Sequence, residues 1–134
     1  MKEKNQSRRL RITIKPFAKV IQEAMKVCKR AEKGLIAEEA TEELNFTNAA
    51  TMLSTISKKR MELMMFLHQN GPSNIKQLSK KLGRDYSSVH GDVQLLIKIG
   101  LLTKNKMQEV FVPWDELMIE LPVKQWSTTR SKTA

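Results

Sequence analysis

The clearest pattern of apolar and polar positions lies in the middle of the chain, where two helical repeats follow each other across a short polar break. Over residues 75–82 the apolar side chains recur at i, i+3 and i+7. Over residues 86–99 they recur from Val89 at i, i+4, i+7 and i+8, which forms one continuous apolar face. The pattern predicts two helices joined by a tight turn.

The ends of these two helices carry local signals of their own. Asn74 is a candidate N-cap, with Gln77 three residues later, the spacing of a capping box. Gly83 favours the left-handed conformation in which helices commonly end. Asp85 provides a second N-cap. These signals predict where both helices begin and where the first one ends.

The side of the second helix that faces away from its apolar stripe is short, polar and nearly free of acids. A solvated helix face of ordinary composition more often carries pairs of glutamate and lysine. Small hydrogen-bonding side chains beside a lysine-rich helix suit insertion into the major groove of DNA. In the middle of this helix Gly91 costs ~1 kcal/mol relative to alanine. Two explanations stay open, namely close approach to a phosphate backbone and close packing against another helix.

The N-terminal part of the chain predicts a small strand-helix-strand unit. Residues 10–14 and 42–46 alternate apolar and polar positions, as half-buried strands do. Between them, residues 17–33 carry an apolar helical stripe on which Cys28 is expected to be a small buried residue. Residues 47–53 form a short connecting helix. Because so small a unit cannot bury both faces of its sheet, we expect it to pack on the rest of the chain or to dimerise with its copy.

Two further elements flank the central helices. Residues 58–69 predict a helix that is apolar on nearly its whole circumference, and is therefore expected to be buried on more than one side. Residues 101–104 and 108–112 predict a short hairpin with Lys104 and Lys106 at its tip.

The remaining segments are assigned by their polarity. Residues 1–9 predict a flexible basic arm, and residues 122–134 predict a mobile polar tail. Trp126 in that tail is either a partner-binding anchor or an idle residue. Residues 114–121 are amphipathic and are expected to pack back on the preceding domain.

The charge of the chain indicates a class of partner. A net charge of +10 and a pI near 9.9 favour a polyanion. Residues 1–30 carry ten Lys/Arg against two Asp/Glu, residues 31–50 one against five, and residues 51–106 ten against three. A basic surface that served only solubility would not need this segregation.

Enzymatic and metal-binding chemistry finds no support in the sequence. His68, His90 and Cys28 are separated by intervals that match no zinc signature. The glycines are scattered, and no pair of carboxylates is placed for acid–base catalysis. Asp92 is expected to pair with a nearby basic residue. No apolar run approaches the ~18 residues of a membrane span, so we expect a cytoplasmic protein with no membrane partner. The spacing of the histidines, cysteine and glycines also leads us to expect no metal and no cofactor.

Residues 58–115 resemble a winged helix-turn-helix of the MarR-like kind, and more narrowly a family of small predicted winged-helix regulators of bacteria and archaea. The residues that carry the resemblance are Gly83-Arg84-Asp85-Tyr86, Val89-His90, Asp92-Val93, Leu96, Gly100-Leu101 and Val112-Pro113-Trp114-Asp115. The chain departs from the family at Gly91, where a larger polar or basic residue is usual. Some members of this family are thought to be antitoxins encoded beside a small toxin, so the resemblance also implies a possible antitoxin role.

Pattern and resemblance together predict an α+β fold, mainly α with small β. A winged helix-turn-helix over residues 57–121 would follow a strand-helix-strand unit and connecting helix over residues 10–56, which would form the dimer interface.

The predicted function is that of a sequence-specific DNA-binding transcriptional regulator, a homodimeric repressor that inserts residues 85–99 into the major groove. Sequence would be read by Arg84, Tyr86, Ser87, Ser88, His90, Gly91, Gln94 and Lys98. For His90 a structural hydrogen bond is equally compatible. Phosphates would be contacted by Lys58, Lys59, Lys76, Lys80, Lys81, Lys104 and Lys106. A dimer would recognise an inverted repeat with half-sites ~34–36 Å apart.

Two alternatives stay open. The protein could be an antitoxin that neutralises a cognate toxin protein and represses its own operon. It could instead be a winged helix that contacts only proteins. Neither alternative requires a catalytic residue.

Overall fold

The computed structural model describes residues 7–34 and 42–125, and the chain forms two compact units. The sheet unit runs from Arg9 to Thr55 and resumes at Glu116. The helical unit runs from Ile56 to Asp115 and includes Arg8. The mixture of helices with small sheets confirms the predicted α+β class.

The elements in chain order are β1 (Arg9–Ile14), α1 (Phe17–Glu32), β2 (Glu42–Phe46), α2 (Ala49–Thr55), α3 (Lys58–Asn70), α4 (Ile75–Leu82), α5 (Tyr86–Ile99), β3 (Thr103–Lys104), β4 (Val110–Phe111) and β5 (Glu116–Ile119). A 3-10 turn at Val123–Gln125 follows β5. The predicted strands 10–14 and 42–46, the long helix after the first strand and both central helices are confirmed. The connecting helix lies two residues later than predicted.

The sheet unit is built on three parallel strands in the order β2-β1-β5. Ile12 at the centre of β1 lies beside Leu44 of β2 and Ile119 of β5. Parallel neighbours need a crossover connection. α1 provides it between β1 and β2, whereas the entire helical unit lies in the chain between β2 and β5. The alternate residues Leu10, Ile12 and Ile14 are buried on one face of the central strand.

Strand β5 departs from the prediction that residues 114–121 pack back on the preceding domain. Glu116–Ile119 pairs with β1, so the chain leaves the helical unit at residue 115 rather than at residue 121. Four residues of mixed polarity carry no strand signal of their own. Their partner lies near the start of the chain, and pairing that distant leaves no mark on local periodicity.

The helical unit closes around a core drawn from all its elements. Leu67 of α3, Leu78 of α4, Val93 of α5 and Val110 of β4 are all fully buried. β3 and β4 pair as a short antiparallel hairpin. Ser73, between α3 and α4, adds a bridge to Val110 through backbone hydrogen bonds of 2.8 and 3.1 Å. This core holds the three helices and the hairpin as one rigid support.

The expectation that α3 is buried on more than one side is wrong for the described chain. Leu63, Met64 and Leu67 are buried, but Met65 and His68 are exposed. The described chain buries only one side of this helix, and its other apolar residues, Met61, Met65 and Phe66, stay partly or largely exposed.

The Val112-Pro113-Trp114-Asp115 motif closes the helical unit. Trp114 is buried, and its indole Nε1 donates to the Gly100 carbonyl at 3.0 Å. The guanidinium of Arg8 lies 4.5 Å from the centroid of that ring. The Arg8 N–H donates to the Asp115 carboxylate, and the Asp115 N–H donates to the Arg8 carbonyl, both at 2.8 Å. Arg8 therefore belongs to the fold, as does Arg9 in β1, although both were predicted to lie in a flexible arm.

Residues 1–6 of that predicted arm and residues 126–134 of the predicted tail, including Trp126, lie outside the described residues.

Candidate nucleic-acid interface

The site is built on α5, which its caps and its core side fix in place. Val89, Val93 and Leu96 are buried along one side of the helix. At the N-terminus, the Asp85 carboxylate accepts hydrogen bonds from the Ser88 N–H at 3.0 Å and the Ser88 hydroxyl at 2.9 Å. Because the inner side is packed and the first turn is capped, the outer side is presented in a fixed orientation.

Helix α4, which precedes α5, is held by equally local interactions. The Asn74 side chain accepts from the Gln77 N–H at 2.8 Å. Gly83 ends the helix in the left-handed region, with φ of 67°. The predicted caps and the predicted turn between the two helices are thereby confirmed.

The outer side of α5 is exposed along its length. The exposed residues that were predicted to read sequence are Tyr86, Ser87, Ser88, His90, Gly91, Gln94 and Lys98. The rings of Tyr86 and His90, one helical turn apart, stack with their centroids 5.8 Å apart. This pair forms a flat aromatic surface near the N-terminus of the helix.

Arg84 is placed differently from the prediction that it reads bases at the start of the helix. Its side chain is only 20% exposed, and its Nη2 donates to the Asp92 carboxylate at 2.7 Å. Its Nη1 is buried and has no hydrogen-bond partner among the described residues. Arg84 therefore fixes the turn against α5, and we leave it out of the proposed contact surface.

Asp92 is the centre of this support. Its carboxylate is 14% exposed and accepts from Arg84 and, at 3.0 Å, from Arg60 of α3. Burial opposes ionisation, but the hydrogen bonds and positive charges of Arg84 and Arg60 outweigh it and lower the pKa of Asp92. The expectation that Asp92 pairs with a nearby basic residue is confirmed. Arg60 was not singled out from the sequence, since an ion pair between neighbouring helices has no signal in local spacing.

Asp85, the N-cap of α5, and Asp92, within α5, therefore both accept hydrogen bonds from other residues of the protein. Asp85 caps the helix, and its hydrogen bonds from the Ser88 backbone and hydroxyl lower its pKa. Asp92 points to the arginines. The exposed side of α5 therefore presents no free carboxylate, which suits a polyanionic ligand.

Lysines surround the α5 surface. All the lysines that were predicted to contact phosphates are exposed. Seven lysines of the unit make no ion pair within the described residues, namely Lys59, Lys76, Lys80, Lys81, Lys98, Lys104 and Lys106. Lys58 lies 4.0 Å from Glu62 in an exposed i, i+4 pair, an arrangement worth little free energy. The positive charge of the helical unit is therefore available to a ligand.

The hairpin tip is more ordered than its sequence indicates. The Asn105 side-chain oxygen accepts from the backbone N–H groups of Met107 and Glu109 at 2.9 and 3.0 Å, and its amide donates to Glu109 at 3.1 Å. Gln108 takes a left-handed conformation with φ of 63°. This turn places Lys106 beside Met107, which is 77% exposed. The exposed methionine was not anticipated.

Gly91 has no packing role within the described chain. A Cβ added at this position would meet no atom within 4 Å. Close packing against another helix of the same chain therefore does not explain the glycine. The remaining explanation from the sequence is close approach of an external partner.

Other classes of site find no support in the described ranges. They contain no group of His, Cys, Asp or Glu that could hold a metal ion. In the same ranges, no helix is both long enough and apolar enough to span a membrane.

A family model described as HVO_A0114 matches residues 55–119, just under half of the chain. The matched segment begins at the end of α2 and ends at the end of β5, so it contains every element of the candidate interface. No curated protein and no solved structure matches the chain. The chain is therefore similar to this family over the helical unit, and the family's description names no activity.

Proposed function

We propose that the protein binds double-stranded DNA in a sequence-specific way, with the outer side of α5 in the major groove. The observation that carries this proposal is the rigidly held, exposed and carboxylate-free side of α5. A helix fits the major groove of B-DNA, and small polar side chains there can meet the edges of the bases.

The charges around α5 support the same partner. Six exposed lysines without an ion pair among the described residues flank the helix on α4, on α5 itself and on the hairpin. Contacts of lysine with phosphate position a protein on the duplex and release counterions, without reading sequence. The order of elements from α3 to β4 is compatible with the predicted winged helix-turn-helix, in which the β3–β4 hairpin would be the wing.

Sequence would be read by a small group of side chains. Gln94 can make a bidentate contact with adenine, and Ser87 can donate to or accept from base edges. Ser88, whose hydroxyl donates to Asp85, can accept from them. Tyr86 and His90, already stacked on each other, offer apolar area and hydrogen-bonding groups near the helix N-terminus. We further propose that the protein is a MarR-like transcriptional regulator of the cytoplasm that acts as a homodimeric repressor.

Selection of bound fragments from a random duplex pool, followed by fluorescence anisotropy on the selected site, tests the proposal. Enrichment of an inverted repeat with half-sites about one helical turn apart is expected, ~34–36 Å. Gln94→Ala should reduce discrimination at one base position by ~1–3 kcal/mol. Lys80→Ala should weaken selected and random duplexes alike and reduce the slope of log K against log salt by ~0.9.

Lys26→Ala, an exposed lysine of the sheet unit, is the matched control and should leave both quantities unchanged. The proposal fails if no sequence is enriched, or if Gln94→Ala and Lys80→Ala both behave as the control does. Absence of any duplex binding at moderate salt would favour a winged helix that contacts only proteins.

A further inference from the structure

Helix α1 is amphipathic, yet none of its residues is buried. Phe17 is 71% exposed and Met25 is 56% exposed, and Ile21 and Val27 are also exposed. The expected burial of Cys28 is wrong, since its thiol is exposed as well. The apolar residues of α1, which the sequence predicts to be part of the core, are therefore accessible to solvent.

At ~100° per residue the apolar and the basic residues of α1 lie on two opposite sides, and Glu32, the last residue of the helix, lies at the end of the apolar side. The apolar side of α1 consists of Phe17, Val20, Ile21, Ala24, Met25, Val27, Cys28 and Ala31. The other side carries Lys19, Lys26, Lys29 and Arg30. Contiguous exposed apolar surface rimmed by polar residues commonly marks an interaction site.

We propose that the apolar side of α1 packs against the same side of α1 in a second copy of the chain, with the two helices antiparallel across a two-fold axis. Such an interface is isologous, so one surface serves both partners. The proposal rests on the homodimer of the proposed function and names its interface, but it does not depend on DNA binding.

The extent of the surface fits this occupant. α1 has 16 residues, and a helix of that length spans ~24 Å. Eight apolar side chains on each copy would together bury roughly 1,000 Å², about the area at which specific interfaces become stable. Leu53 of α2, in the same unit, is also exposed and adds apolar surface.

The shape of the surface also favours a helix over a lipid surface. Ala24, Cys28 and Ala31 lie within about 40° of the line through Phe17, along the middle of the apolar side. Small residues there let a second helix approach closely, since the distance between packed helices depends on the side chains at the contact. A helix that lies in a membrane surface places bulky Trp, Phe and Leu there instead.

Charge does not oppose the pairing. The cations of α1 lie opposite the apolar side, so two copies that join their apolar sides keep these cations apart. Glu23 lies outside the apolar side of α1, and its carboxylate accepts from Lys15, the residue after β1, at 2.9 Å.

The mass of the full-length protein in solution, without DNA, tests the proposal. The wild-type chain should sediment as a dimer of twice 15.4 kDa. Ile21→Asp should weaken dimerisation roughly 100-fold, because pairing would bury an unpaired carboxylate from each copy. Gln22→Asp is the matched control, since it adds the same charge at the neighbouring position on the opposite side, and should remain dimeric. Both residues are exposed, so circular dichroism should show both variants folded.

Cross-linking locates the axis. In a Cys28→Ala background the chain has no other cysteine. Ala24→Cys, near the middle of α1, should then form a disulfide-linked dimer on oxidation, because Cα atoms within ~7 Å can be bridged. Lys26→Cys, on the opposite side, should not.

Three results would overturn the proposal. One is a monomeric wild-type chain, and if that chain also co-sediments with phosphatidylglycerol vesicles in an Ile21-dependent way, a lipid surface takes the place of the second copy. Another is an equal mass for Ile21→Asp and Gln22→Asp. The third is that Lys26→Cys links as readily as Ala24→Cys, or that neither links.

Discussion

The two units of the chain use their apolar and charged residues in opposite ways. The helical unit has a closed apolar core and, among the described residues, leaves its lysines other than Lys58 without ion pairs. The sheet unit leaves the apolar side of α1 exposed and neutralises the cations of β1 with neighbouring carboxylates. The first arrangement suits a charged ligand, and the second suits a protein surface.

The ion pairs of the sheet unit show why net charge alone is a poor guide to a binding surface. Arg11 contacts Glu43 and Glu120 at 2.9 and 3.0 Å, and Lys15 contacts Glu43 and Glu23. The hydrogen bonds that Lys15 donates to Glu43 and Glu23 raise the pKa of Lys15. The basic N-terminal segment and the acidic segment after it therefore partly neutralise each other. Among the described residues, the lysines of the helical unit other than Lys58 and the cations on the polar side of α1 take no part in such ion pairs.

The largest contrast should appear when equivalent apolar residues of the two units are truncated. Leu96→Ala removes a fully buried side chain of the helical unit and should lower the free energy of unfolding by ~3 kcal/mol. Val27→Ala on α1 should lower it by less than ~0.5 kcal/mol. Both variants are made in the Ile21→Asp chain, so that no second copy covers α1, and are compared by urea unfolding. Equal losses would show that the contrast between the units does not exist.

Removal of the carboxylate at the centre of the helical unit should have the next largest effect. Asp92→Asn removes the carboxylate that pairs with Arg60 and Arg84, both of which are partly buried, and should cost about 2 kcal/mol, below the range for fully buried pairs. Glu62→Gln breaks the exposed pair with Lys58 and should cost at most ~0.5 kcal/mol. If the two variants melt together, Arg84 is not the support of the α5 turn.

Lowering the pH should remove part of the stability that the ion pairs of Asp92 contribute. The pKa of Asp92 is lowered in the folded protein from an ordinary value of 3.8, so its ion pairs stabilise the fold above that pH. This stability is lost as the pH falls below the ordinary value and through the lowered one. The free energy of unfolding, measured in urea, should therefore fall more over that pH range for the wild type than for Asp92→Asn. Parallel pH curves for the two proteins would contradict the assignment.

The substitution with the smallest expected effect should raise the stability of the fold and lower the affinity for DNA. Gly91→Ala adds a methyl group in open space and should stabilise α5 by ~0.5–1 kcal/mol, because alanine favours the helix. The same methyl group should weaken duplex affinity if DNA approaches at this point. Ser87→Ala, on the same side of the helix, removes a hydroxyl without adding an atom, and so shows the effect of losing a hydrogen bond separately from the effect of added volume. A variant that gains stability and keeps full affinity would remove Gly91 from the contact surface.

The sequence predicted the helical unit well because its signals are local. Asn74, Gly83 and Asp85 each act on backbone atoms within three residues, and the structure shows each cap where the pattern places it. The exposure of Gln94 and His90 follows from the helical period alone. Features that depend on distant residues were not predicted, including the pairing of β5 with β1 and the contact of Arg60 with Asp92.

Other misjudged positions share one physical cause. An apolar stripe shows that a surface avoids water, but it does not say whether the same chain or another molecule covers it. Cys28 on α1 and Met65 on α3 both looked like core residues and are both exposed. Conversely, Arg84 looked like a ligand-binding cation because its acidic partner lies two turns further along the helix.

The position of β5 also has a consequence for how the protein is made. β1 is made before the helices of the helical unit, but one of its two neighbours is made after them. The helical unit can fold while its own residues emerge from the ribosome, whereas the sheet must wait for Glu116–Ile119. Pairing between such distant segments slows folding. We therefore expect nascent chains to carry a folded helical unit and an open sheet edge until Glu116–Ile119 has emerged.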